Sequence, residues 1–412
     1  MSRKKKIFLI VLSILAVFEA IAAGVGLKLY IDAKKVMNKT YIQIKRKSKA
    51  KEEIIKATKP FSILLLGIDS GDALERDGGK WGGRSDSIIL ATVNPKSKQT
   101  TVVSFPRDLY VELDGPDDNE YTGMKDKINH AFARGEEGMS MDTVSKLMGA
   151  FPINYCIAIN MIGMAELVDA VGGITIEAKF GTIDGKHLDK VPVPDDLAIS
   201  KGMLESDEAM NAWEASAYGY DFPAIFQWIS EGKQKMNGRT ALNYARFRHD
   251  GDGTYGRDQR QRDVLQKLLE KLFSLNSFIK YKKIFKTVGS NVRTILNWND
   301  LVRIRKTYPF SVFKKAVSLQ LPGIGDTIDG VSYQLVPKNI LLQAQNYMRQ
   351  QMEFSVNTSL QNSKQPTYES VTGLQYQGEL SLNLPDEKKK AQKNEGSSED
   401  LDEAQSEDTK IE

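Results

Sequence analysis

The chain is poor in the residues that staple small folds. Its 412 residues include one cysteine, Cys156, which excludes an intrachain disulfide framework. A lone thiol does not fix the compartment, and a buried, inert side chain is its default role. Histidine is nearly as scarce: His130, His187 and His249 stand far apart, which argues against a zinc site built on them. No repeat with a period of about 20 to 50 residues is present, so solenoids and propellers are excluded.

Only one apolar run is of membrane length. "MSRKKK" is followed by residues 7–29, where Glu19 is the sole charge before Lys28. At about 1.5 Å per residue, this run predicts a transmembrane helix. The small residues "AIAAG" also suit a cleavage site, but the run exceeds a usual signal core, so a retained signal-anchor is expected. The basic tip, residues 1–6, is then cytoplasmic and the body extracellular, as a single-pass protein of the cell membrane.

Charge is divided unevenly. Residues 1–59 carry 15 Lys or Arg against 4 Asp or Glu, while the remainder carries 42 against 49. The basic character belongs to the anchor and to a stalk at residues 30–59, suited to anionic headgroups. A basic folded face for nucleic acid is not called for. Residues 386–412 are acidic and nearly free of apolar groups, and read as a disordered tail.

Residues 60–350 alternate strand-like and helix-like patterns, which predicts an α/β domain with a central mixed sheet covered by helices on both faces. "FSILLLGIDS" is a buried strand running into a loop. "SDSIILATV" and "TTVVSF" form a hairpin; centring its turn near residues 96 and 97 sets position 86 opposite position 107. Residues 178–236 are an irregular excursion with small helices, and residues 351–385 are a surface wrap or linker.

Arginine is concentrated in one place. "NGRTALNYARF" is a short helix that delivers Arg246, and Arg248 follows two residues on. Glycines then turn the chain, and a second helix begins near Arg257. Its apolar stripe, traced backwards by threes and fours, reaches Gln261, Arg260 and Arg257. Cations on a core-facing side need anionic partners, and a helix start favours them too. The partner is either protein carboxylate or ligand phosphate. Asp69 lies past the first strand, Arg84 and Asp86 open the second, Arg107 follows the third, and Lys127 stands where a helix begins. A lone Arg–Asp pair is more often a structural salt bridge. Two carboxylates with several arginines suit a diphosphate and a hard cation.

The segments "LLLGIDS", "GRSDSIIL", "SFPRDLYV", "DKINHAFA", "LVDAVGGI" and "GRTALNYARFRHD…GRDQRQ" occur in an order that resembles the LytR–CpsA–Psr family of cell-wall glycopolymer phosphotransferases. The resemblance covers roughly residues 60–275. It implies an α-β-α sandwich that moves a teichoic acid or capsular polysaccharide from undecaprenyl diphosphate to peptidoglycan, with membrane lipid and other cell-wall assembly proteins as further partners. It also implies Mg2+, with Mn2+ as a substitute, on Asp69 and Asp86. Arg84 stands beside those aspartates, while Arg107, Lys127, Arg246, Arg248, Arg257 and Gln261 match positions at the diphosphate, and Arg260 accompanies them. Thr254 stands where the family commonly has an aspartate, with Asp250 or Asp252 as replacements. A tethered polymer-binding or regulatory protein and a lipid-diphosphate hydrolase are the competing functions.

Overall fold

The computed structural model describes residues 40–47, 59–69, 81–183, 185–194, 226–247, 249–273, 291–308, 316–360 and 365–377, with a few isolated positions beside them. Its centre is a six-stranded sheet. The first three strands are β1 (Phe61–Asp69), β2 (Arg84–Asn94) and β3 (Gln99–Phe105), which pair antiparallel in sequence order. After the ribbon of β4 (Tyr110–Glu112) and β5 (Lys125–Lys127) and helix α1 (His130–Leu147), β6 (Tyr155–Asn160) adds parallel to β1. The edges are β11 (Val292–Thr294), antiparallel to β6, and β12 (Ala316–Gln320), parallel to β3.

Strand β1 is apolar at nearly every position because both of its faces are covered. Phe61, Ile63 and Leu65 pack with α2 (Met161–Ala170), α3 (Gly238–Arg246), α4 (Gly253–Phe273) and α5 (Trp298–Thr307). Leu64, Leu66 and Ile68 pack on the opposite side with α1 and α6 (Lys338–Gln351). Each fully buried Leu or Ile contributes about 1.5–3 kcal/mol. The expected sheet with helices on both faces is present. Cys156 is buried in the second core, where loss of solvent pushes its thiol pKa well up and keeps it protonated.

The described part of the 178–236 excursion departs from expectation. In place of small helices it holds β-ribbons: β7 (Ile174–Ala178) pairs with β10 (Gly232–Met236), and β8 (Lys190–Pro194) with β9 (Phe226–Ser230). In the second ribbon Val191 and Val193, two apart and so on one side of the strand, are both buried in the core. A further hairpin, β13 (Ile324–Ile328) and β14 (Val331–Leu335), lies beside β4 through a Leu109–Gln334 bridge. The short helix α7 (Tyr368–Thr372) lies in the expected wrap, which Tyr368 N ties to Val336 O at 3.0 Å.

The N-terminal expectation needs correction. Among the described residues no helix is long and apolar enough to cross a membrane, and the apolar run up to residue 27 lies outside them. The transmembrane signal-anchor, and the single-pass extracellular placement derived from it, are therefore not retained. Part of the expected stalk is packed onto the domain. Ile42 N donates to Thr294 O and Thr294 N to Thr40 O, both at 2.9 Å. Arg46 Nε then donates to the buried Asp142 carboxylate at 3.0 Å, while Lys45 and Lys47 face Asp118, Asp117 and Asp114. These basic residues of the expected stalk thus face local carboxylates. The acidic tail falls outside the described residues.

Candidate active site

The β1–β2 ladder breaks where the chemistry-bearing residues begin. Gly67 pairs with Ser87, but Ile68 pairs with Ser85, so Asp86 is the extra residue of a β-bulge. Glycine is needed opposite it: a Cβ on Gly67 would lie 2.9 Å from the Ser87 Cβ. β3 runs back along β2 with Ile88 opposite Phe105, and this register carries Arg107 to Asp86. Arg107 Nη1 donates to Asp86 Oδ2 at 2.7 Å, with the carboxylate side chain only 4% exposed.

Asp69 and Arg84 are paired at the end of the same ladder. Arg246 reaches Asp69 from the end of α3. That helix starts at Asn237, whose side chain accepts from Thr240 N, and Gly238 lets it press against α2, its N–H donating to Asp169 at 2.7 Å. So seated, Arg246 Nη2 stands 3.8 Å from Asp69 Oδ1, with both side chains about a quarter exposed at 26% and 27%. Asp69 Oδ1 is closed off from solvent and makes no hydrogen bond.

Helix α4 presents buried polar residues in its first turns, as its periodicity predicts: Arg257, Arg260 and Gln261 are all under 9% exposed. Their partners differ. Gln261 Oε1 accepts from Ser87 Oγ at 3.5 Å and so faces the bulge. Arg260 is turned into the protein, donating to Asp250 Oδ2 at 2.8 Å and Phe247 O at 2.7 Å, beside the Phe180 and Phe247 rings. Asp250 also accepts from Gly181 N at 2.8 Å. It is thus committed to holding this turn. Arg248 and the Thr254 side chain lie outside the described residues.

Lys127 lies on the other flank. Its Nζ is 3.0 Å from Asp108 Oδ1, and Asp108 Oδ2 in turn is 3.5 Å from Arg107 Nε. Next to it stands His130, which sequence reasoning considered only as a zinc ligand. Its Nε2 faces Arg84 Nη1 at 3.3 Å and its Nδ1 faces Asp126 Oδ1 at 2.9 Å. Partial burial opposes ionisation of Asp126, but His130, the Lys127 N–H and Arg134 outweigh it and hold its pKa below the ordinary value. The regular spacing of Asp126, His130 and Arg134, four residues apart, was the available signal.

Residues 25–350 match the LytR_cpsA_psr family. The chain belongs to the LytR–CpsA–Psr family. This LytR–CpsA–Psr chain is 39% identical over 353 residues to the polyisoprenyl-teichoic acid–peptidoglycan teichoic acid transferase TagU of Enterococcus faecalis, covering 85% of its own length and 99% of the relative. It is also 39% identical over 310 residues to Biofilm regulatory protein A of Streptococcus mutans, covering 75% of this chain and 68% of that one. Among solved structures, protein gbs0355 of Streptococcus agalactiae aligns with a TM-score of 0.62 at 36% identity, over 81% of this chain and all of that one.

Among the described residues, no group of three or more His, Cys, Asp or Glu is arranged to hold a metal ion. Asp69 and Asp86 nevertheless fit a hard cation in donor type. They supply carboxylate oxygens, and Asp69 Oδ1 is desolvated without a hydrogen bond. Asp86 Oδ2 is shared with Arg107, so a cation there would sit beside a guanidinium.

Proposed function

We propose that this LytR–CpsA–Psr chain transfers a glycopolymer of teichoic acid or capsular polysaccharide type from undecaprenyl diphosphate to a hydroxyl of peptidoglycan. The acceptor oxygen bonds to the phosphorus that carries the glycan. The bond from that phosphorus to the bridging oxygen breaks, undecaprenyl phosphate leaves, and the hydroxyl proton is released.

The observation that carries this reading is the convergence of Asp86–Arg107 with Asp69 and Arg246 at one end of β1 and β2. Arg84, Arg107, Arg246, Arg248 and Arg257 are the proposed phosphate-gripping groups, with Lys127 and Gln261 at the margins. Guanidinium groups held in a partly water-excluded site stabilise charge developing on phosphoryl oxygens, each such donor being worth about 3–4 kcal/mol. Arg260 is assigned to the framework of the α3–α4 turn because its guanidinium is consumed by Asp250 and Phe247. Asp69 and Asp86 would hold Mg2+, which when bound neutralises diphosphate charge. The likeness to the teichoic acid transferase of Enterococcus faecalis supports the substrate class. The regulatory name of the Streptococcus mutans relative keeps a binding protein as the competing reading.

The test is incubation of the purified chain with a synthetic undecaprenyl-diphosphate glycan and a peptidoglycan oligomer, with and without Mg2+. Release of undecaprenyl phosphate should require both acceptor and metal. Release without acceptor would mean a hydrolase, and binding without release a capture protein.

A further inference from the structure

The backbone sews the start of β2 to the start of α1. Ser85 N donates to Asn129 O at 3.4 Å, Asn129 N donates to Arg107 O at 3.2 Å, and Ile128 N donates to Leu109 O at 2.9 Å. These bonds fix the neighbours of Arg84 and His130 relative to each other and to the strand end that carries Arg107. The two side chains therefore meet by construction: Arg84 Nη1 is 3.3 Å from His130 Nε2.

Proton placement follows from the partners. A guanidinium can only donate, so the imidazole nitrogen facing it must be bare. The other nitrogen then carries the proton; it lies 2.9 Å from an Asp126 carboxylate oxygen, an electrostatic contact without hydrogen-bond geometry. Asp126 is held in turn by Arg134 Nη2 at 2.7 Å, and Arg134 lies over the Tyr121 ring at 4.3 Å. The chain of contacts Tyr121–Arg134–Asp126–His130–Arg84 runs from packed protein to an exposed arginine. Unaided, such a long side chain would sample many rotamers, which must be given up when it grips a ligand.

We propose that His130 is a positioning residue: its Nε2 accepts from Arg84 and fixes the guanidinium for diphosphate, while Asp126 sets the imidazole tautomer. One N–H of Arg84 is consumed, and the others are left for phosphoryl oxygens. His130 touches the arginine, so it acts through Arg84 and not on the substrate. The inference rests on the proposed diphosphate site, but turnover is not needed to test it.

Two measurements decide it. In the full chain labelled with 15N-histidine, which has only three histidines to assign, the His130 signal should show protonated Nδ1 and bare Nε2; the opposite tautomer would overturn the proposal. Calorimetric titration with a short-chain prenyl diphosphate supplies the second. His130→Ala should weaken binding about tenfold, roughly one hydrogen bond's worth. His130→Gln, whose carbonyl oxygen can still accept from Arg84, should restore most of it. In an Arg84→Ala background the His130→Ala loss should vanish. Equal losses in both backgrounds, absence of rescue by Gln, or no binding by the wild-type chain would each sink the idea. Wild-type binding without acceptor-dependent transfer would instead remove the transferase reading and leave the positioning role standing.

Discussion

Arg107 and Asp86 meet at 2.7 Å because a bulge in β2 and the register of the β2–β3 hairpin deliver them to the same spot. The pair is a structural contact and, in the proposed function, part of the phosphate grip. Those two contributions can be separated. Arg107→Met leaves a buried carboxylate without this partner and should lower stability by about 1–3 kcal/mol and reduce turnover. Adding Asp86→Asn should recover the melting temperature while turnover stays low. Parallel recovery of both would confine the pair to structure.

Arg246→Lys keeps the charge but loses the planar two-pronged contact. At 3.8 Å from Asp69 and about a quarter exposed, Arg246 contributes little to stability through that pair. Its replacement should cost about 2–4 kcal/mol of transition-state stabilisation, roughly 30- to 1000-fold in rate, with the melt nearly unchanged. A lowered melting temperature with normal turnover would move Arg246 out of the site.

Arg260→Met makes the opposite forecast. Its partner Asp250 has a fully buried side chain, so losing the guanidinium should destabilise the chain by about 3–5 kcal/mol. Activity should fall only with the folded fraction. Denaturant melts alongside rates corrected for folded protein will show whether the loss lies in stability or in catalysis.

Asp69→Ala should weaken Mg2+ binding, measured calorimetrically with a diphosphate analogue present, without a large change in melt, because the residue ends a strand and is partly exposed. Unchanged affinity would remove Asp69 from the metal site.

Glu137 gives a pH-dependent prediction. Burial raises its pKa, only partly offset by its own backbone N–H and by Arg293, 3.7 Å away. An acid with a raised pKa binds more protons folded than unfolded, so stability falls as pH climbs from the unfolded value into the raised folded one. Glu137→Gln removes that slope. Its melting temperature relative to wild type should rise with pH above about 4.5 and level off once Glu137 is ionised. A constant difference across the range would exclude Glu137 as the source.

The sequence by itself determined what local periodicity and turn geometry encode. Alternation about the turn at residues 95–98 set position 86 opposite 107, and the helical stripe of α4 placed Arg257, Arg260 and Gln261 on a buried face. Repetition along the chain carries that information, because a strand or helix fixes which residues share a side. The tertiary structure alone decided which partner each buried charge took. No periodicity distinguishes Arg260, which closes on Asp250, from Arg246, which reaches Asp69, or shows that Asp86 occupies a bulge. Nor does it show that Arg46 folds back onto Asp142, or that His130 stands between Asp126 and Arg84. Apart from Asp126 and His130, which are close in sequence, those contacts join residues from about ten to nearly two hundred positions apart. They form only when sheet and helices assemble, since a charge takes whichever partner packing leaves within reach.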